Sequence, residues 1–280
     1  MTFPHPLWSI DSYQQTWAEV AFGLAALLTL VYCFSVARKR GESWPLFVFL
    51  GAGLTITYEP FNNLLGHCAY PLIGQHTAIN LVGQKIPFYI LFVYMFYFAA
   101  PSVWLAQRFE AGISMRRLAR YYAIAVVLCA AFEPFFVSQY WWRYTGHQPL
   151  NMTGLPMWWW FVNPMCVFGC GAIYHLMRKH VLTSDRQSVM FIVLGPLSVF
   201  ATHGSAAVPL NIGINAHNMG YAVAGTFGSI ALALMYMWII GRLVTVPEPA
   251  LATAPAGEPG LAAEPAGTRG RSPLAVPRPA

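Results

Sequence analysis

The sequence predicts an all-α fold: a polytopic membrane bundle of seven transmembrane helices, with the N-terminus outside and the C-terminus cytoplasmic. Three observations predict it. Of 280 residues, 57% are hydrophobic and 9% charged, whereas about a quarter of a soluble domain is charged. Seven stretches stay apolar for about 20 residues, the length that a hydrocarbon core of roughly 30 Å demands. Basic residues fall at alternate ends of those stretches, as the positive-inside rule requires.

In chain order the expected spans are about 17–37, 45–66, 86–106, 119–139, 157–177, 189–208 and 220–242. Arg38, Lys39 and Arg40 close the first, and Arg108, Arg116, Arg117 and Arg120 surround the connection after the third. Arg178, Lys179 and Arg186 occupy the connection after the fifth, and Arg242 follows the last. The opposite-side segments hold only Lys85 and Arg143, so the termini lie on different sides and the number of crossings is odd. The net charge of +6 is therefore a topology signal and implies no nucleic-acid partner. The expected location is the cell membrane, multi-pass.

Residues 1–16 contain no Lys or Arg, so the first span reads as a retained anchor and not as a cleaved leader. Residues 1–245 form one membrane domain; 246–280, dominated by Pro, Ala and Gly, are expected to be a disordered cytoplasmic tail dispensable for catalysis. Cys33, Cys68, Cys129, Cys166 and Cys170 form an odd set mostly inside spans, which argues against a disulfide framework. Cys166 and Cys170, beside Gly169 and Gly171, read as close helix packing.

An acid recurs where an acid is expensive. Tyr58-Glu59-Pro60-Phe61 and Phe132-Glu133-Pro134-Phe135 sit 14 residues into their spans, and His203 falls at the same offset in the sixth. All three should share one layer, about 21 Å from the cytoplasmic edge at 1.5 Å per residue. A charged side chain in hydrocarbon costs roughly 2.5 to 3.5 kcal/mol on insertion scales, so such a residue reads first as functional. Pro60 and Pro134 free the carbonyls of Ile56 and Ala130 and kink each helix beside its acid. Asn62 and Asn63 follow Glu59 at i+3 and i+4, on its face of the helix.

Desolvation disfavours a charged carboxyl, so each acid is expected to stay neutral and able to protonate an alkene or epoxide, with a second carboxyl or a histidine to take a proton back. The flanking aromatics Tyr58, Phe61, Phe132 and Phe135, and Trp141, Trp142, Trp158, Trp159 and Trp160 near the outer edge, could hold a developing carbocation. The competing readings are an interfacial aromatic belt for the tryptophans and structural pairing of the acids with Arg143, Lys85 or a histidine.

Other chemistries lack their residues. His67, His76, His147 and His217 show no ligand spacing such as HExxH, so no metal is expected. There is no phosphate loop, dinucleotide fingerprint or GxSxG elbow, the last span has no Lys for a retinal Schiff base, and Asp11 and Asp185 both lie outside the spans. No cofactor is expected.

Seven spans, intramembrane acids beside Glu-Pro kinks and aromatic outer loops give a chain that resembles the small integral membrane terpene cyclases of fungal meroterpenoid and actinobacterial indole-terpenoid pathways, and more loosely the membrane lycopene cyclases. The resemblance implies a cofactor-independent isomerase or lyase of terpenoid biosynthesis. A membrane-embedded acid would protonate a lipophilic isoprenoid, a cation cascade would follow, and a deprotonation would end it. Glu59 matches the early-helix acid of those enzymes. Their second acid is usually a late Asp, which this chain lacks, so Glu133 would take that role, with His203 the nearest polar group in the late helices.

The expected site thus has Glu59, Glu133 and His203 as catalytic residues and Tyr58, Asn62, Asn63, Phe132, Trp142 and Trp158 as substrate-binding residues. Its partners are the bilayer and a lipophilic isoprenoid. The alternative is a proton-coupled transporter using the paired intramembrane carboxyls.

Overall fold

The computed structural model describes residues 8–146 and 148–247; His147 and all of the expected disordered tail beyond residue 247 lie outside the described residues. The chain is an all-α, multi-pass type of bundle. Among the described residues, six helices are long and apolar enough to cross a membrane: Ser12–Arg40 (α1), Phe88–Glu110 (α4), Met115–Ser138 (α5), Met157–His180 (α6), Asp185–Gly204 and Met219–Val244 (α9). Asp11 starts α1 by accepting the Tyr13 amide at 2.9 Å, and Gly41, at φ 65°, ends it, a side-chain cap and a left-handed stop.

The stretch expected at 45–66 is helical but segmented. It runs as α2 (Trp44–Leu54), a 3₁₀ turn (Thr55–Tyr58) and α3 (Glu59–Gly66). Proline is the cause. Pro60 has no amide for the Ile56 carbonyl, and the Glu59 amide donates to it instead, one residue early, which tightens the helix into 3₁₀ form. The stretch 185–204 is likewise composite: a 3₁₀ turn (Asp185–Met190), α7 (Phe191–Val199), which contains Pro196, and a π turn (Phe200–Gly204). The short α8 (Val208–Asn215) then packs on α9.

At the core, α4 packs against α1, α2 and α6, and α6 against α9. α2 and α7 cross with no side chain between them: a Cβ on Gly51 would overlap the Phe191 carbonyl, and one on Gly195 the Gly51 backbone. Such small-residue crossings let backbones approach where burial against lipid offers no hydrophobic gain. Gly169 instead makes room for the Thr202 side chain, and Thr202 Oγ1 donates to Cys166 Sγ at 3.2 Å. All five cysteines are free thiols.

One end of the bundle gathers the charges. Arg40 bonds Glu42 and Glu110 at 3.1 and 2.6 Å, and Arg178 bonds Glu42 at 2.6 Å, tying together the ends of α1, α4 and α6. The other end is covered by three small antiparallel pairs: β1 (Cys68–Ala69) with β4 (Arg143–Tyr144), β2 (Thr77–Leu81) with β3 (Gln84–Pro87), and β5 (Asn151–Met152) with β6 (Leu155–Pro156). The two hairpins match. Val82-Gly83 and Thr153-Gly154 all have φ between 47° and 84°, as type I′ turns need, and Pro87 and Pro156 launch α4 and α6.

Candidate functional site

Glu59 opens α3 and is buried. Tyr70 Oη donates to its Oε1 at 2.5 Å and Tyr94 Oη, from α4, to its Oε2, and Asn62, one turn along, also bonds it. Glu133 sits in the last turns of α5, also buried. Tyr144 Oη donates to its Oε1 at 2.7 Å, while Trp159 Nε1 at 2.6 Å and Cys129 Sγ at 3.4 Å donate to its Oε2. Each carboxyl therefore has both oxygens met by neutral aromatic donors. Tyr70 and Tyr144 lie in the connections outside the long helices, and burial, reinforced by the neighbouring carboxyl, holds both phenols well above their usual pKa. They remain donors.

The competing reading, structural pairing of the acids with a cation, is not what the structure has. Neither acid has a cationic partner among the described residues. Arg143 instead lies over the Tyr140 ring at 3.9 Å and the Trp8 ring at 5.3 Å.

His203, in the π turn, bonds neither acid. Its Nδ1 meets Tyr58 Oη at 2.9 Å. Which of the two donates depends on the imidazole tautomer, and Nε2 is buried with no hydrogen-bond partner among the described residues. Trp158 and Trp159 set their edges against the imidazole, with centroids at 6.0 and 5.0 Å.

Glu59, Glu133 and His203 line one cavity of about 580 Å³, a size that accommodates a small lipophilic molecule. Tyr58, Asn62, Phe132 and Trp142 line it too. Phe132 does so from the rim, with 62% of its surface exposed. Asn63 and Trp158 are not part of the lining: Asn63 is buried with no partner for its Oδ1 among the described residues, and Trp158 is fully buried behind the wall against His203. The rest of the wall is largely aromatic and aliphatic. Among the described residues, no three His, Cys, Asp or Glu side chains gather as metal ligands.

Three site residues were not foreseen, Tyr70, Tyr94 and Tyr144, and Trp159 was expected only as an aromatic near the outer edge and not as a donor to Glu133. Two had a visible signal. Glu59 and Tyr70 are 11 residues apart, and so are Glu133 and Tyr144, each pair written Glu-Pro-Phe-x8-Tyr. The β1–β4 ladder pairs Ala69 with Arg143 and Cys68 with Tyr144. Ala69 and Arg143 each stand ten residues beyond their acid, so the ladder joins equivalent positions antiparallel, as a local two-fold axis would.

Comparison with known proteins adds no assignment. No protein-family model, curated protein or solved structure matches this chain. What the geometry itself offers is two carboxyls in one mostly apolar space, each oriented by its own phenol, able to give and take protons where water is scarce.

Proposed function

We propose that the protein is an integral membrane terpenoid cyclase of seven crossings, N-terminus outside and C-terminus cytoplasmic, resident in the cell membrane. The segmented 44–66 rod supplies the crossing additional to the six long helices. The basic residues at one end of the bundle support this orientation.

In this reading Glu59, as the neutral acid, gives its proton to a terminal alkene carbon or an epoxide oxygen of a lipophilic isoprenoid. The π electrons of the next alkene form the new carbon–carbon bond, and the positive charge moves along the chain beside the faces of Tyr94, Tyr97, Trp142 and Trp159, which line the cavity. Glu133, as carboxylate, removes a proton from the last cation and leaves an alkene. Atoms balance without a co-reactant, because one acid loses the proton that the other gains. Turnover then returns that proton, and the Tyr70 and Tyr144 hydroxyls, carried by adjoining strands, are placed to pass it.

The observation that carries the reading is the pair of buried carboxyls lining one apolar cavity with no cationic partner among the described residues. The lining on α4 and α5 reaches Trp104 and Tyr121, whose rings meet with centroids 5.1 Å apart, and such a contact between the two walls supports a one-sided reaction chamber over a transport path. The test uses membranes carrying wild type, Glu59→Gln or Glu133→Gln, incubated with linear prenyl alcohols and their terminal epoxides, with cyclic products read by mass spectrometry. Product from wild type and none from Glu59→Gln is expected; no product from wild type, or normal product from both variants, removes the proposal.

A further inference from the structure

The cavity extends well past the acids. Its lining follows Ile90, Tyr97 and Trp104 down one face of α4, and Phe136, Leu128 and Tyr121 down the facing side of α5. The steps of seven or eight residues keep each set on one stripe, and the 14 residues from Ile90 to Trp104 span about 21 Å at 1.5 Å per residue. α4 and α5 are joined by the short turn 111–114, yet they do not pack along their length. They close on each other at two places. Trp104 meets Tyr121 at the basic end, and at the hairpin end Phe22 of α1 bridges Phe96 of α4 and Phe136 of α5, with centroids at 5.9 and 5.5 Å.

Between these contacts the wall is open to the side. Ile124, Leu128 and Phe132 line the cavity and are nevertheless 50%, 49% and 62% exposed, and α5 is the least buried of the six long helices. In a bilayer that opening faces acyl chains, not water.

We propose that a linear, lipophilic molecule with an oxygen-bearing or alkene-bearing head enters sideways from the hydrocarbon through the α4–α5 slot. It lies along the slot with its head at Glu59 and Glu133 and its tail toward the Trp104–Tyr121 ring pair, which limits chain length. The slot's polarity assigns this orientation, because the carboxyls and their donors are confined to one end and the remainder is aromatic and aliphatic apart from Tyr97, Asn163 and Tyr121. Lipid tails are as apolar as the slot, so burying the tail adds packing and little hydrophobic gain, and discrimination from bulk lipid falls to the head. This deepens the cyclase reading but rests on it only for the reaction at the head.

The test is photolabelling in liposomes, which is read without turnover. Probes are a diazirine-bearing farnesol, its longer homologue geranylgeraniol, and a phosphatidylcholine carrying the diazirine in its acyl chain. Adducts of the prenyl alcohols are expected on Tyr97 and Cys129, reduced about tenfold by Ala125→Trp or by Leu128→Trp, while adducts on lipid-facing Leu28 of α1 stay constant and report an intact fold. Trp104→Ala is expected to shift labelling toward the longer alcohol. Undiminished labelling of Tyr97 and Cys129 in both plugged variants, or equal labelling there by phosphatidylcholine, overturns lateral entry of a headed substrate; unchanged length preference in Trp104→Ala overturns the ring-pair limit. Loss of cyclase activity with labelling intact would leave this inference standing and remove the reaction assigned above.

Discussion

Replacing Tyr144 with Phe removes one oxygen from the wall of the cavity and leaves the ring. That oxygen is the donor to Glu133 Oε1 at 2.7 Å, whereas Oε2 keeps Trp159 and Cys129. A hydrogen bond to a charged group contributes about 1.5–3 kcal/mol, and here the acceptor left behind is buried. Because that donor favours the charged form, its loss should lower the population of the Glu133 carboxylate, and product formation with it, by up to about 10- to 150-fold at about 1.4 kcal/mol per tenfold. Melting should fall by about 3–12 °C, taking about 2–4 °C per kcal/mol for a chain of this size. The assay compares detergent-purified wild type, Tyr144→Phe and Tyr140→Phe by fluorescence melting and by product formation. Tyr140 is half exposed beneath Arg143, so its variant controls for the loss of a phenol elsewhere. Should Tyr144→Phe melt and turn over like Tyr140→Phe, the hydroxyl does not hold the acid and the account of the site is wrong.

Other expectations follow from single contacts. In a double-mutant cycle, Tyr58→Phe and His203→Gln should be non-additive by roughly 0.5–3 kcal/mol in thermal stability, because each supplies the other's partner; additive losses would deny the pair. Gly51→Ala should destabilise the protein by about 1–3 kcal/mol by forcing α2 and α7 apart, while Gly23→Ala, whose Cβ would sit 3.7 Å from the Phe92 ring, should melt like wild type. Glu110→Gln, in the partly exposed ion cluster with Arg40 and Arg178, should cost less than about 1 kcal/mol, and the difference should shrink in high salt.

Much of the fold was written in hydropathy. The expected span 157–177 became Met157–His180 and 220–242 became Met219–Val244, because a bilayer-length apolar run has few alternatives to helix. Pro60 marked where a helix changes form, whereas Pro134, expected to kink its helix in the same way, lies inside the unbroken α5, as Pro101 and Pro164 lie inside α4 and α6; the 3₁₀ turn before Glu59 and the π turn around His203 depend on which carbonyl finds which amide, and hydropathy does not encode that. Glu59, Glu133 and His203, expected in one layer from their equal offsets, line one cavity. Their hydrogen-bond partners did not follow from such offsets. Tyr94 is 35 residues from Glu59, and Tyr58 is 145 from His203; such contacts come from packing between helices, not from local spacing. Tyr144 lies in the two-residue β4 and Tyr70 directly follows the two-residue β1, strands too short for any alternation to show. Only the repeated Glu-Pro-Phe-x8-Tyr spacing announced them.

The ladder between β1 and β4 gives those spacings a mechanical meaning. It clasps the two connections at matched distances from Glu59 and Glu133 through a few backbone hydrogen bonds, so one short fastening sits beside both phenols and fixes the two connections relative to each other.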